Sequence, residues 1–453
     1  MIYVSHIFQE RMEKMGKRIY LLLVTMLLVG FLAACGSEAE NDNNASNGED
    51  ASGSDNVDIS IFMTKPEIVQ EFNEVVDVFS EETGIGVTVI PLGDQVVLER
   101  MTTLYSSGNA PTITLANMEI AVFKDNLLDL SGEPWVETIP EDYFNLVNYD
   151  GAILGQPLGV EGFGFIYNKA VLDEATGGFD PSTIKSHDDL RNLFEEVKAL
   201  DGVNALTISP VDWSLGAHLT NPMFASQSSE SAERHEFMDA AIDGEASFAD
   251  NEVFQGWVDT LDLMKEFNKH KDSALAPAYE DAPFALANGE VGLWFMGNWA
   301  YPQIAEVDPD GEYGFLPVPI SNDPTSYGNS QMSVGAPSFW VVDAEQSTEE
   351  EQEAAKQFLN WLMSSETGKD LYVNKLNLIP VSENFDIAPE DPLSQSIVSY
   401  MDSDNTLEFM VSHYPADAMN VMGASLQKYL VDELDRDGLA QEFDNYWHAV
   451  ERE

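Results

Sequence analysis

Apolar residues recur at helical spacing in several stretches of the chain, and short apolar runs separate these stretches. Phe72, Val75 and Phe79 lie on one face of a helix, so we predict an amphipathic helix over 67–80. The same spacing predicts helices over 94–107, 186–200, 251–268, 349–363 and, as a closing helix, 416–434. Alternating or continuous apolar runs predict strands over 57–62, 84–90, 113–116, 206–209, 290–295 and 335–342. Strands and helices therefore alternate at βαβ spacing, which predicts an α/β fold with mostly parallel sheets.

The stretch 284–304 carries the strongest local signals. Asn288-Gly289 is a turn signal, and the apolar run after it predicts a buried strand. Gly297-Asn298 then breaks the strand, and Pro302 limits the following helix to its first turn. Trp299 therefore lies at a strand-to-helix turn, where open α/β sheets commonly bind ligands. Spacing alone also allows a core position, which is the commoner place for a bulky aromatic after a strand.

The N-terminal residues predict an exported lipoprotein. Lys14, Lys17 and Arg18 precede an apolar run over 19–31, which suits a signal peptide and is short for a membrane span. Leu-Ala-Ala-Cys follows, so we predict a signal peptide over 1–34 and a lipid on Cys35, where two acyl chains anchor stably. Cys35 is the only cysteine, which excludes an intrachain disulfide. The residues 35–56 are acidic and polar, and predict a disordered tether.

The charge balance is strongly acidic. The chain has 21 basic and 79 acidic residues, a formal net charge of −58. This charge argues against binding to nucleic acid or to anionic lipid surfaces, which both require basic patches. One interpretation is adaptation to high external salt, where charge repulsion is screened. The other is an ordinary acidic surface protein.

Signatures of catalysis and of metal binding are missing from the sequence. We find no GxSxG, HExxH, Walker A or GxGxxG motif. The seven histidines are scattered without the spacing of metal ligands. Asp402, Asp404 and Glu408 have a spacing similar to a calcium loop, but the required glycine is absent, which favours a solvated acidic loop. The sequence therefore predicts no enzyme activity, no cofactor and no metal.

Three segments resemble a known family in the order in which that family carries them. These are FSEETGI over 79–85 followed by VTV, the segment over 157–169 that ends in FIYNK, and the NG turn, apolar strand and GxW over 288–299. They are similar to the extracellular solute-binding proteins of the carbohydrate type, the family of maltose-binding protein. The similarity runs from about residue 57 to the C-terminus.

The resemblance implies a type II periplasmic-binding-protein fold with two α/β lobes and three crossings between them. The implied N-terminal lobe comprises 57–159 and 333–378, and the implied C-terminal lobe comprises 160–332 and 379–453. A monosaccharide or oligosaccharide would bind in the cleft between the lobes. The protein would act as a monomer on the outer face of the membrane, most simply in a Gram-positive cell. It would deliver the sugar to the permease of an ABC importer and catalyse nothing itself.

Candidate ligand contacts are implied by the resemblance together with the chemistry of sugars. Aromatic faces stack on the C–H face of a pyranose, and carboxylates accept hydrogen bonds from its hydroxyls. Trp299 and Trp213 are the aromatic candidates, and Glu161 and Asp212 are the carboxylate candidates at the implied cleft. The further candidates are Asn117, Glu119, Lys65 and Tyr414.

Two alternatives stay open at this point. The first is a binding protein for another small polar solute, such as an amino acid or a polyamine, and the two tryptophans favour sugar over it. The second is a lipid-anchored glycoside hydrolase, which needs two carboxyl groups at a fixed separation. No local motif supplies that pair.

Overall fold

The computed structural model describes residues 57–93, 95–415 and 417–450. The predicted signal peptide, Cys35 and the acidic tether lie outside the described residues. In the part of the chain that is described, no helix is both long and apolar enough to cross a membrane.

Thirteen strands are present among the described residues. In chain order they are β1 (Asp58–Met63), β2 (Gly86–Pro91), β3 (Ile113–Ala116), β4 (Asn148–Tyr149), β5 (Ala152–Ile153), β6 (Gln156–Pro157), β7 (Glu161–Asn168), β8 (Asn204–Thr207), β9 (Val291–Gly297), β10 (Tyr313–Leu316), β11 (Met332–Gly335), β12 (Phe339–Val342) and β13 (Thr406–Leu407). The predicted strands over 57–62, 84–90, 113–116, 206–209 and 290–295 are confirmed to within a few residues.

The α-helices surround these strands. In chain order they are α1 (Val69–Thr83), α2 (Val97–Ser106), α3 (Ile120–Phe123), α4 (Lys169–Thr176), α5 (His187–Lys198), α6 (Asn221–Ala225), α7 (Ser231–Ile242), α8 (Glu252–Phe267), α9 (Asp281–Ala287), α10 (Tyr301–Ala305), α11 (Glu349–Ser364), α12 (Glu366–Asp370), α13 (Pro392–Asp402), α14 (Ala418–Leu430) and α15 (Arg436–Trp447). Polar caps begin several of them. The Asn251 side chain accepts a hydrogen bond from Phe254 N–H at the start of α8, and Thr348 forms a capping box with Glu351 at the start of α11.

Two separate sheets define two lobes. The first lobe is built on a sheet with the order β2-β1-β3-β12-β6, and the second on a sheet with the order β13-β11-β7-β9-β8, with β10 paired to β7. Aromatic side chains fill the space between sheets and helices. In the first lobe Phe72 of α1 stacks on Trp340 of β12 at a centroid distance of 5.3 Å. In the second lobe Trp257 of α8 and Trp447 of α15 are fully buried.

The chain passes between the two sheets three times. β6 of the first sheet leads within a few residues to β7 of the second, and β11 leads back to β12. The third crossing begins where Ile379 pairs with Val160 and continues into α13, which packs on β10. This two-lobe arrangement confirms the predicted fold class.

The strand predicted over 335–342 is confirmed only over Phe339–Val342, which form β12. Gly335 instead ends β11, which belongs to the other sheet, and Pro337 lies between the two strands. Proline has no backbone N–H to donate and interrupts a strand ladder, so the chain leaves one sheet here and enters the other.

The prediction of mostly parallel sheets is correct for β2, β1 and β3 and wrong for the second sheet. β7 pairs antiparallel with β9, β10 and β11, while β8 and β9 are parallel. β7 enters the second lobe directly from a crossing, so it runs opposite to β8 and β9, which are reached through helices. The predicted closing helix is also shorter than expected, since α14 ends at Leu430 and α15 follows it.

Candidate functional site

Residues from both lobes meet where strands of the two sheets end. Lys65 follows β1 in the first lobe, Trp213 lies beyond the end of β8, and Trp299 follows β9. Glu161 begins β7, whose next residues pair with the end of β9 through Phe163 and Gly297. The carboxyl ends of parallel strands are the usual ligand edge of open α/β sheets, so the two lobes present this edge to each other.

Four aromatic rings form one group at this edge, which we call the aromatic cluster: Trp213, His218, Tyr279 and Trp299. The Trp299 ring lies 6.1 Å from the Trp213 ring, in an edge-to-face orientation, and 5.0 Å from the His218 ring. Trp213 also contacts Tyr279 at a centroid distance of 5.6 Å. Trp213, Tyr279 and Trp299 are half-buried, so they pack on one another and still present surface to a ligand.

An ion pair between the lobes lies beside the aromatic cluster. The Lys65 Nζ is 2.7 Å from Glu161 Oε1 and 3.5 Å from Glu67 Oε1. Lys65 also lies 5.6 Å from the centre of the Trp299 ring, in a cation–π position. Burial by itself would lower the pKa of Lys65, but the nearby carboxylates of Glu161 and Glu67 raise it above its ordinary value. The lysine is therefore charged at neutral pH.

Two residues fix the position of Trp299. A Cβ on Gly297 would lie 1.9 Å from the Trp299 ring, so only glycine lets the ring fold back over the end of β9. Asn298 is buried; its Oδ1 accepts a hydrogen bond from Gly162 N–H at 2.9 Å, and its Nδ2 lies 3.4 Å from Ser394 Oγ in α13. These two hydrogen bonds connect the turn Gly297-Asn298-Trp299, which we call the GNW turn, to β7 and to the third crossing.

The segment after β8 carries two rings of the cluster. Trp213 precedes a π-helical turn, Ser214–Leu219, and His218 stacks on Phe163 of β7 at 4.5 Å. The His218 Nδ1 atom is buried and has no hydrogen-bond partner among the described residues. Burial and the positive charge of Lys65 together lower the pKa of His218 to about 3, so this imidazole is neutral at physiological pH.

The structure brings four of the predicted site residues together. Lys65, Glu161, Trp213 and Trp299 form the group described above. Asp212 accepts a hydrogen bond from the N–H of Trp213 at 2.9 Å, a contact within its own loop. The Glu119 carboxylate likewise accepts from the N–H of Asn117 at 3.0 Å, beyond the end of β3.

Tyr414 lies in the core of the second lobe. It is 7% exposed, its hydroxyl is 3.2 Å from Thr220 Oγ1, and its ring packs against Phe224 and Trp447. This position disfavours Tyr414 as a ligand contact. The sequence interpretation also missed Tyr279, His218 and Asn298. Of these three residues, only Asn298 lies in a segment that the sequence singles out, because it is the middle residue of the strand break at Gly297-Asn298-Trp299.

A small cavity lies on one side of Trp299. A cavity of about 20 Å³ lies between Lys65, Glu161, Trp299 and the third crossing at Leu378. A larger cavity of about 640 Å³ lies in the second lobe against β10 and α13, and no strand or helix of the first lobe lines this cavity. The larger cavity therefore cannot be closed by movement of one lobe against the other.

The comparison with known sequences defines the class of protein. The sequence profile described as bacterial extracellular solute-binding protein matches residues 68–395, well over half of the chain. The chain belongs to this family, whose members bind solutes and are not enzymes, which confirms the predicted absence of catalysis.

Among curated relatives, a "Multiple sugar-binding protein" of Streptococcus mutans is 24% identical over 315 residues, 68% of this chain and 70% of the relative. Among solved structures, RafE in complex with raffinose is 19% identical with a TM-score of 0.71, over 86% of this chain and 99% of that one. Maltose-bound MalE3 of T. maritima is 16% identical with a TM-score of 0.67, over 86% and 99% of the two chains. At these identities the two structures establish the two-lobe, type II fold.

Proposed function

We propose that this chain is a lipid-anchored extracellular receptor that binds a sugar or oligosaccharide between its lobes and delivers it to an ABC import permease. The observation that supports this proposal is the aromatic cluster beside the Lys65–Glu161 pair, at the edge where both lobes meet. Trp299 and Trp213 supply apolar faces for pyranose rings. Glu161 and Lys65 supply an acceptor and a donor for sugar hydroxyls. The ligands named for RafE, MalE3 and the streptococcal relative are of the same class.

Ligand entry requires the lobes to separate. The cavity of about 20 Å³ between Lys65 and Trp299 is far smaller than the roughly 300–1,000 Å³ of usual small-molecule sites, so it does not itself hold the sugar. Lys65 and Glu161 stand on opposite lobes, so a hinge motion at the three crossings parts them and opens the site. Closure over the sugar then buries it, and the closed form is the one that docks on the permease.

The sugar proposal is tested by thermal melting of the chain against a panel of monosaccharides and oligosaccharides. We expect at least one sugar to raise the melting temperature, because a ligand at 100 times its Kd stabilises the folded state by about 2.7 kcal/mol. The same incubations are analysed for cleavage, and we expect none. Amino acids and polyamines serve as the control panel. If only members of the control panel stabilise the chain, the ligand is another small polar solute and the sugar proposal is wrong.

The lipid anchor is tested by expression of the full gene in a Gram-positive host, with Cys35 intact and as Cys35→Ala. Leu32-Ala33-Ala34 before Cys35 is the context that suits a lipoprotein signal peptidase. We expect the native chain in the membrane fraction and the variant largely released, since two acyl chains hold a protein where one is marginal. Equal partition of both forms into the membrane would refute the anchor, and would leave the sugar proposal untouched.

A further inference from the structure

A second group of polar side chains lies in the second lobe and takes no part in the aromatic cluster. His235 is on α7, Glu408 follows β13, and His413 ends the short 3₁₀ helix Met410–His413. One ligand atom from each of these three residues lies within 4.8 Å of the other two. We call this group the His–Glu–His cluster.

Both imidazoles face the same carboxylate oxygen. The His235 Nε2 is 2.8 Å from Glu408 Oε1, and the His413 Nε2 is 3.6 Å from the same atom. The two rings are 4.3 Å apart at an angle of 74°. Two imidazole nitrogens and one carboxylate oxygen, converging from three places in the chain, are a donor set that zinc sites use.

The His413 Nε2 atom lacks a hydrogen bond. It is buried and has no hydrogen-bond partner among the described residues, and Glu408 Oε1 lies 3.6 Å away. Buried polar atoms almost always have a partner, so an unpaired ring nitrogen beside a carboxylate needs an explanation. A metal ion bound between His413 and Glu408 would satisfy this nitrogen.

The other oxygen of Glu408 is already occupied. Arg234, which is 6% exposed, donates to Oε2 through its Nε at 2.9 Å and through a second guanidinium nitrogen. Ser231 Oγ donates to the same oxygen at 2.8 Å. Such outer hydrogen bonds hold a ligating carboxylate in one orientation, and here they leave Oε1 turned toward the two imidazoles.

The charges agree with this arrangement. Arg234 already supplies the cation for a structural ion pair with Glu408. An ion pair alone therefore does not account for the two imidazoles beside the same carboxylate.

We propose that His235, Glu408 and His413 bind one Zn²⁺ or a similar divalent transition-metal ion. Two nitrogen ligands favour such ions over Ca²⁺ and Mg²⁺, which take oxygen ligands. Three protein ligands leave the fourth position to water. The ion links α7 to the segment that follows β13, and stabilises the second lobe independently of the sugar site.

Calorimetric titration of the full mature chain tests this proposal. The chain carries no histidine tag and is stripped with a chelator before ZnCl₂ is added. We expect one zinc ion per chain and a higher melting temperature with zinc, because the ion binds only the folded state. MgCl₂ and CaCl₂ at the same concentration are expected to have a much smaller effect.

Single histidine variants separate the cluster from the acidic surface. His413→Ala and His235→Ala should each weaken zinc binding at least about tenfold, while the melting temperature without metal changes little. His448→Ala removes an exposed histidine elsewhere and should bind zinc like the native chain. We avoid Glu408 variants because they leave the buried Arg234 unpaired. Unchanged zinc affinity in both cluster variants, or no stoichiometric binding, would overturn the proposal.

Discussion

Trp299→Ala is expected to weaken sugar binding roughly ten- to a hundredfold or more. The ring is half-buried, lies over Gly297 and contacts Trp213, His218 and Lys65, so it presents a face to the space between the lobes. Truncation of an aromatic at the centre of a binding site typically costs about 1–3 kcal/mol, and about 1.4 kcal/mol corresponds to a tenfold change in Kd. Calorimetric titration with the sugar found in the panel measures this loss.

The fold of the Trp299→Ala variant should survive, because a residue at the cleft leaves no closed cavity when it is truncated. Trp340→Phe is the matched control, since Trp340 is fully buried in β12 and stacks on Phe72. That variant should lower the melting temperature and leave the sugar affinity unchanged. If Trp299 instead belongs to the core, Trp299→Ala should cost about 3–5 kcal/mol of stability. A large fall in its melting temperature with unchanged affinity would remove Trp299 from the site.

Acid is expected to destabilise the protein through His218 by about 2–3 kcal/mol at pH 4.5. The pKa of this imidazole is lowered to about 3 in the folded chain and is about 6.5 when unfolded, so below pH 6.5 the unfolded state binds the extra proton. The stability from a neutral His218 is therefore complete above pH 6.5 and is lost progressively as the pH falls toward 3. Two pH units below 6.5 correspond to about 2.7 kcal/mol before any discount for partial exposure.

The measurement is the free energy of unfolding in denaturant at pH 7.5 and pH 4.5, for the native chain and for His218→Gln. Carboxyl groups titrate equally in both chains, so the difference between the two pH effects isolates His218. His448→Gln, at an exposed position, should retain the native pH effect. Equal losses in the native chain and in His218→Gln would show that the imidazole is not held neutral.

Sequence analysis predicted those parts of the molecule that depend on local signals. The α8 helix follows from its apolar stripe and its Asn251 cap, and the turn that carries Trp299 follows from the GNW break. The two-lobe fold was predicted from a resemblance, because periodicity gives the order of the elements along the chain and does not show which sheet each strand joins. The separation of β11 from β12 depends on a crossing between lobes, and Pro337 marks the interruption without indicating the change of sheet.

Contacts between distant residues could not be predicted in the same way. Tyr279 approaches Trp213 only because separate elements of the second lobe meet, and no pattern around position 279 indicates this. His235 and His413 are far apart in the chain, so their spacing shows none of the regularity of a metal motif. No pattern around Tyr414 indicates its surroundings, and the packing of α15 places it in the core.

The contact between the Trp213 segment and α14 has a consequence for biosynthesis. A Cβ on Gly216 would lie 1.9 Å from the Met419 carbonyl, and a Cβ on Gly423 would lie 2.8 Å from the Asp212 backbone, so the two segments touch backbone to backbone. The turn that presents Trp213 therefore gains its support from residues made some 200 positions later. A nascent chain that ends before α14 holds Lys65, Glu161 and Trp299 but lacks the helix that seats Trp213. The aromatic cluster is completed only near the end of synthesis, after most of both sheets is already available to fold.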